Sequence, residues 1–208
     1  MTKNLKDLKN ELIHYGKLAG EKNFTPGYSG NLSARYGENV LITSSGSANG
    51  YLTEDDFTLI DMNANILEGR RPSSEKLLHL DFYKRRSDVN YIIHVHSPYL
   101  STFASCGKAL DDAIMAENVF YFGQIPLAEY GLPSSYDLVE KTAKYFDEYN
   151  AVLMANHGFI VGDTTLHDAF LKLELAESYA QVVINTKILG GANILSDTQV
   201  KEILALKS

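Results

Sequence analysis

Short strand-like runs fill the middle of this 208-residue sequence, and helical patterns stand before, between and after them. The strand candidates are mostly apolar runs of three to six residues, separated by residues that favour turns. They are Asn31–Arg35, Val40–Thr43, Thr58–Asp61, Tyr91–His96, Val119–Phe122, Ala151–Met154 and Phe159–Val161. Strands grouped in this way with helices around them predict a layered α/β fold, and without a linker the chain reads as a single domain over residues 1–208.

The predicted helices follow from apolar residues at spacings of three and four. A first amphipathic helix covers Leu5 to Ala19, and a second begins after Pro72 and runs to about Arg86. A polar helix follows at about 134–147, and a long helix begins at Thr164 and ends before the glycine pair at 190–191. The final short helix begins at Ser196, where Ser-Asp-Thr-Gln forms a capping box.

Composition excludes several classes of protein. No apolar run approaches the roughly 20 residues that span a bilayer, and the charged N-terminus lacks an apolar signal region. The single cysteine, Cys106, excludes an internal disulfide and a cysteine-based zinc site. The net charge of −7 weighs against sequence-independent binding to nucleic acid. We therefore expect a cytoplasmic protein that acts on neither membranes nor nucleic acid.

Three histidines carry the strongest chemical signal. In His94-Val95-His96, strand alternation would place both imidazoles on one face of the sheet. His157 lies in a turn after another strand candidate, where it could reach across to the pair. Three imidazoles and one open position are typical of a catalytic zinc site. An isolated pair of this kind can also just hydrogen-bond at a sheet edge, and carbonic anhydrases and cupins share the pattern.

Glu75 offers two interpretations. It follows Ser73 and Ser74 at a predicted helix start, where hydroxyls cap and an acidic group is favoured by the helix dipole. Alternatively, the two hydroxyls and the helix-start amides bind a phosphate, with Glu75 beside it.

Two segments rich in small residues could also bind an anion. They are Gly27–Asn31 and Thr43–Gly46, where backbone N–H groups can form a concave nest. Either segment could equally be a plain turn. The P-loop pattern of nucleotide-binding proteins does not occur in the sequence.

Five short motifs together resemble the class II aldolase/adducin family. They keep the same order over nearly the whole chain, which makes the set far more specific than any single motif. The motifs are S-G-N-x-S at Ser29–Ser33, I-T-S-S-G at Ile42–Gly46, P-S-S-E at Pro72–Glu75, H-V-H at His94–His96 and N-H-G at Asn156–Gly158.

The resemblance implies a central, mainly antiparallel sheet flanked by helices, and a homotetramer with its active sites between subunits. It also implies Zn²⁺, or Mn²⁺ in its place, on His94, His96 and His157, with Glu75 as the catalytic acid/base. Carried over by position, the residues that would hold the substrate phosphate are Asn31, Ser45, Gly46, Ser73 and Ser74. Three further candidates near the site are Tyr28, Ser29 and Glu117.

The implied reaction is cleavage of a ketose 1-phosphate, first of all L-fuculose 1-phosphate. The products would be dihydroxyacetone phosphate and an aldehyde, L-lactaldehyde, formed through a metal-stabilised enediolate. The alternatives are a sugar-phosphate 4-epimerase, another zinc lyase of the family, or a non-catalytic adducin-like module. A glutamate at position 75 favours the aldolase, since the epimerase has aspartate there. The three histidines weigh against the adducin type, which lacks them.

Overall fold

The computed structural model describes residues 3–207, which form eight strands and seven α-helices. Two short 3₁₀ turns occupy Asn49–Tyr51 and Glu54–Asp56. The strands are β1 (Asn31–Tyr36), β2 (Asn39–Thr43), β3 (Phe57–Asp61), β4 (Ile66–Glu68), β5 (Tyr91–Val95), β6 (Leu127–Ala128), β7 (Ala151–Met154) and β8 (Gly158–Asp163). The helices are α1 (Leu5–Glu21), α2 (Lys76–Arg85), α3 (Pro98–Ser105), α4 (Ala116–Phe122), α5 (Tyr136–Ala143), α6 (Leu166–Ile188) and α7 (Asp197–Ala205).

All eight strands lie in one sheet, in the order β4-β3-β2-β1-β5-β8-β7-β6. Every neighbouring pair is antiparallel except β6 and β7, which run parallel. The predicted α/β fold with a mainly antiparallel sheet is therefore confirmed. The central strands β1, β5 and β8 lie side by side, although the sequence separates them widely.

Helices cover both faces of the sheet, because successive strand residues point to opposite sides. One core cluster joins residues of α1, α3 and α6 to strand residues such as Ile93 and Phe159. The other joins residues of α2 and α5 to the alternating positions, such as Ile92 and Ile160. His94 has the same parity as Ile92, so its ring lies on the side of the sheet that α2 covers.

The predicted strand at Val119–Phe122 is wrong, because the structure has the helix α4 over Ala116–Phe122. A four-residue apolar run does not distinguish a strand from a buried helical turn. Here the run packs against α6 and α7, while the short strand β6 takes the edge of the sheet beside β7. Sequence patterns also missed α3 and the strands β4 and β6. The two strands have only three and two residues, too few to show a periodic pattern.

The two C-terminal helices begin as predicted. The Thr165 side chain accepts a hydrogen bond from the Asp168 amide at the start of α6. At Ser196 both bonds of the capping box with Gln199 are present. Although α6 has 23 residues, no helix within residues 3–207 combines the length and apolar character needed to cross a membrane.

Candidate metal and catalytic site

The side chains of His94, His96 and His157 converge at one end of the central strands. Their ring centroids are 4.8 to 5.1 Å apart. The Nε2 atoms of His94 and His96 are 2.9 Å from each other. One nitrogen from each ring lies within 4.8 Å of the others, a spacing that could hold a metal ion.

Strand pairing explains how the three rings meet. His94 is in β5 and pairs with Ile160 of β8. His96 stands one residue beyond the end of β5. His157 lies in the tight turn that joins β7 to β8, after Asn156 at a positive φ of 54°. Since β5, β8 and β7 are neighbours, this turn brings His157 beside the end of β5.

Gly158 makes room for the rings of His94 and His96. A Cβ atom at this position would lie 2.5 Å from the Val95 carbonyl oxygen and 2.9 Å from Cδ2 of His96. It would also lie 3.3 Å from Cε1 of His94. Because the first contact is with backbone, no rotation of a side chain could relieve it. The close approach of β8 to the end of β5 therefore requires glycine here.

Replacing Gly158 with alanine is expected to weaken metal binding. The added methyl would push β8 from the end of β5 and separate the rings, and overpacking of this kind costs about 1–3 kcal/mol of stability. We expect at least about a tenfold loss of Zn²⁺ affinity in a competition titration with a chromophoric chelator. The matched control is Gly107→Ala, which strains a positive φ of 64° in open space. Equal Zn²⁺ affinity in both variants would contradict the prediction.

The orientation of His94 suits a ligand to a metal. Its Nδ1–H donates to the carbonyl oxygen of Phe159 over 2.9 Å. In the neutral ring this bond leaves the lone pair on Nε2, the nitrogen that lies 2.9 Å from Nε2 of His96. Backbone contacts of this kind fix the tautomer and direction of metal-binding histidines. Three imidazoles whose nitrogens converge in this way could hold a divalent transition metal such as zinc.

Glu75 is buried against this cluster, with 7% of its surface exposed. Its carboxylate oxygens lie 3.0 Å from Nε2 of His94 and 2.9 Å from Nε2 of His157. The amide Nδ2 of Asn31 donates to the same carboxylate over 3.1 Å. Glu75 occupies the N-cap position of α2, but its side chain makes no capping hydrogen bond. The carboxylate therefore faces the histidines and does not serve as a helix cap.

Burial and neighbouring charges shift the pKa values of Glu75 and His94 in opposite directions. Burial would raise the pKa of Glu75, but His94 and His157 hold it well below its usual range. Burial works to lower the pKa of His94, and the Glu75 carboxylate overcomes this and raises it. Burial and the two neighbouring rings lower the pKa of His96 to about 3. The cluster thus holds an ionised carboxylate beside at least one neutral imidazole near neutral pH.

A cavity of about 460 Å³ opens over the histidines and Glu75. Asn31, Ser45, Gly46, Ser73 and Ser74 all line it, together with Tyr28 and Ser29. Within residues 3–207 the lining set includes no lysine or arginine, so an anion here would meet neutral hydroxyl, amide and backbone donors. The three segments proposed from sequence to bind phosphate thus share one cavity with the histidines.

The family follows from comparison with known sequences. A profile of the Class II Aldolase and Adducin N-terminal domain matches residues 10–184, a span that includes Glu75 and all three histidines. The chain belongs to the class II aldolase and adducin family. Class II aldolases depend on a metal ion, and the histidine cluster of this chain could hold one.

Three known members of the family have different substrates in their names. An L-fuculose 1-phosphate aldolase of known structure superposes with a TM-score of 0.91 at 33% identity, covering 98% of this chain and 97% of its own. The 5-deoxy-D-ribulose 1-phosphate aldolase of Bacillus thuringiensis serovar kurstaki is 31% identical over 94% of this chain and 92% of that protein. The 3-oxo-tetronate 4-phosphate decarboxylase of Haemophilus influenzae is 34% identical, over 94% and 95% respectively. The predicted family and the predicted lyase class are confirmed.

One candidate, Glu117, lies outside this cavity within the single chain. Glu117 is exposed in the first turn of α4 and does not line the cavity, because α4 packs against α6 and α7. The loop before α5 contributes Pro133 and Ser134 instead, which the sequence analysis did not point to. Ser134 has a positive φ of 66°, rare for a residue with a side chain. No local sequence pattern identifies this loop as part of the site, because tertiary packing brings it to the cavity.

Glu177 is another buried carboxylate that sequence patterns missed. It accepts hydrogen bonds from the Ser97 hydroxyl at 2.7 Å and from the amides of Tyr99 and Leu100, each at 2.9 Å. These contacts anchor the start of α3 immediately after His96. The acceptor lies on α6, about 80 positions away, so no short motif could reveal the contact.

Proposed function

We propose that this member of the family is a metal-dependent aldolase that cleaves a ketose 1-phosphate, with L-fuculose 1-phosphate as the first candidate. One observation carries the proposal: the carboxylate of Glu75 is buried against two of three converging imidazoles, beside a cavity lined by neutral anion donors. The products are dihydroxyacetone phosphate and an aldehyde, L-lactaldehyde for this substrate. The metal is Zn²⁺, held by His94, His96 and His157, because imidazole ligands suit zinc.

The bound ion supplies Lewis-acid stabilisation of the negative charge that develops on the substrate oxygens when the C–C bond breaks. The chain's own residues position the substrate. Asn31, Ser45, Gly46, Ser73 and Ser74 hold the phosphate through hydroxyl, amide and backbone donors, so no lysine or arginine is needed within the chain. This arrangement places the far end of the substrate toward the histidines.

Glu75 moves the proton in the proposed reaction. Cleavage releases the proton of the substrate hydroxyl that becomes the aldehyde oxygen, and it leaves an electron pair on one carbon of the dihydroxyacetone phosphate half. Glu75, ionised at the start, takes up the released proton through solvent and delivers a proton to that carbon. In the direction of synthesis the carboxylate removes the same proton. Its contacts with two imidazoles keep it ionised and pointed into the cavity, as a base in this position requires.

A decarboxylase is the second candidate, favoured by the 34% identity to the 3-oxo-tetronate 4-phosphate decarboxylase. Loss of CO₂ from such a substrate also yields the enediolate of dihydroxyacetone phosphate. Glu75 would then protonate the same carbon as in the aldolase reaction. The two reactions differ only in the group that leaves, so the product that accompanies dihydroxyacetone phosphate distinguishes them.

A substrate panel tests the proposed reaction. Purified, Zn²⁺-loaded protein is incubated with L-fuculose 1-phosphate, 5-deoxy-D-ribulose 1-phosphate, 3-oxo-tetronate 4-phosphate and a ketose 5-phosphate. We expect kcat/KM for L-fuculose 1-phosphate to exceed that for each other compound by about tenfold or more, a difference of about 1.4 kcal/mol in transition-state binding. Release of CO₂ as the fastest reaction would establish the decarboxylase. Inversion at C4 of the 5-phosphate would establish the epimerase.

We also propose that the active form is a homotetramer with its sites at subunit boundaries. The exposed apolar side chains of Leu132, Ile188 and Leu189 support association, since such groups are commonly buried between subunits. Light scattering of the Zn²⁺-loaded protein should give a mass of about four chains. A fully active monomer at assay concentration would overturn this proposal and leave the proposed reaction standing.

A further inference from the structure

A row of buried polar side chains lies behind Glu75, along the contact between α2 and β1. Glu75, His79 and Tyr83 are four residues apart in sequence and therefore share one face of the helix. Asn31 and Ser33 are two residues apart in β1 and share the face of the sheet that α2 covers. We call these five residues, together with Arg35, the polar seam.

Each of the three β1 residues in the polar seam contacts a residue of α2 or its N-cap residue, Glu75. Ser33 Oγ lies 2.7 Å from Nδ1 of His79 and 2.8 Å from the hydroxyl oxygen of Tyr83. Arg35 donates to the Tyr83 carbonyl oxygen over 2.9 Å, and its guanidinium lies 4.8 Å from the centre of the Tyr83 ring. Glu75 receives the hydrogen bond from Asn31, so the catalytic carboxylate is the first member of the same row.

The side chains of His79, Ser33 and Tyr83 form a continuous chain of hydrogen bonds. Burial lowers the pKa of His79 to about 3, so its ring is neutral. The Tyr83 hydroxyl donates to the Asn90 carbonyl oxygen at 3.5 Å, and with Tyr83 in that role Ser33 can donate to Tyr83 and accept from Nδ1–H of His79. Nε2 of His79 is buried without a hydrogen-bond partner among the described residues, so the contact with Ser33 through Nδ1 is the polar contact that holds this ring.

The residues of α2 outside the polar seam show that this helix can pack against the sheet through apolar side chains. Leu78, Leu80 and Phe82 of the same helix are fully buried in an apolar cluster. Apolar side chains in place of a buried polar group are often neutral or stabilising. Directional hydrogen bonds add a fixed register, because they are lost when the helix slides or rotates.

We propose that His79, Ser33 and Tyr83 are positioning residues for Glu75, which fix α2 along β1 and so hold the carboxylate against the histidines. This inference rests on the proposed role of Glu75 as acid/base. Glu75 stands at the very start of α2, so any shift of the helix moves it directly. A misplacement of about 1 Å in a catalytic group can cost about 10²-fold in rate.

Three variants of the full chain test the seam. His79→Leu removes the donor to Ser33, whereas His79→Asn keeps an N–H close to the position of Nδ1. Leu80→Val is the matched control, because it loosens α2 packing without touching the seam. We expect kcat in His79→Leu to fall by about tenfold or more, with KM and Zn²⁺ affinity within about twofold of wild type. His79→Asn should recover most of this loss, and Leu80→Val should show little of it.

Amide hydrogen exchange in the metal-free protein gives a readout independent of activity. The amides of Leu78 and His79 donate to the Glu75 carbonyl oxygen at 3.0 and 3.4 Å. Their exchange should be about tenfold faster in His79→Leu than in Leu80→Val. A wild-type protein that turns over no substrate would refute the proposed function, and the exchange rates would still decide whether the seam fixes the helix.

Two results would overturn the inference. One is an equal effect of His79→Leu and Leu80→Val on kcat or on exchange of these amides. The other is a His79→Asn variant as impaired as His79→Leu, since this would show that the bond to Ser33 does not matter.

Discussion

Glu75→Gln is expected to abolish most turnover while the protein still folds and binds its metal. Glutamine keeps the size of the side chain and can still accept from Asn31, but it cannot carry a proton. General acid/base catalysis contributes about 10²–10⁴-fold in rate, so kcat should fall by a factor in this range. A helix-capping or dipole role would cost only about 0.3–1 kcal/mol of stability and leave turnover almost unchanged.

Hydrogen exchange into dihydroxyacetone phosphate isolates the step assigned to Glu75. In heavy water the wild-type protein should exchange one hydrogen of this product without any aldehyde present. Glu75→Gln should not, although its Zn²⁺ content stays at the wild-type level. The matched control is Glu174→Gln, which removes a surface carboxylate paired with Lys22. Exchange at the wild-type rate in Glu75→Gln would assign the base to another group.

His157→Ala is expected to lose both the metal and the activity. Removing one of three imidazoles leaves two protein ligands, fewer than catalytic zinc sites use. Elemental analysis after dialysis should give about one zinc per chain for the wild type and a small fraction of that for the variant. Turnover should fall with metal content, because the Lewis acid that stabilises the developing charge is absent.

Two controls separate this effect from general loss of structure. His14→Ala changes a histidine of α1 that lies outside the cavity, and it should keep both metal and turnover. Chelation of zinc from the wild-type protein should reproduce the loss of activity, and added Zn²⁺ should restore it. Full metal content in His157→Ala would remove that residue from the site.

Local sequence patterns determined much of this protein. The apolar runs of strands such as β2 and β8 and the capping box at Ser196 depend on residues within about four positions of one another. Short-range patterns therefore predicted six of the strands that the structure describes and most of the helices. The motifs around Asn31, Glu75 and the histidines indicated the family, because their residue types and their order along the chain can be read without the structure.

The tertiary structure decided what those residues do together. Whether Glu75 caps α2 or faces His94 depends on how the helix lies against β1, and the structure shows the second arrangement. The run at Val119–Phe122 is helical because it packs against α6 and α7 and does not pair with a strand.

The meeting of His157 with His94 likewise depends on pairing between β5 and β8, strands that the sequence separates by more than 60 residues. Only a glycine at position 158 allows these strands to come close enough. Such contacts join residues far apart along the chain, and their distances are set by packing and register. Short-range periodicity carries no information about either, so the site could be assembled only from the folded structure.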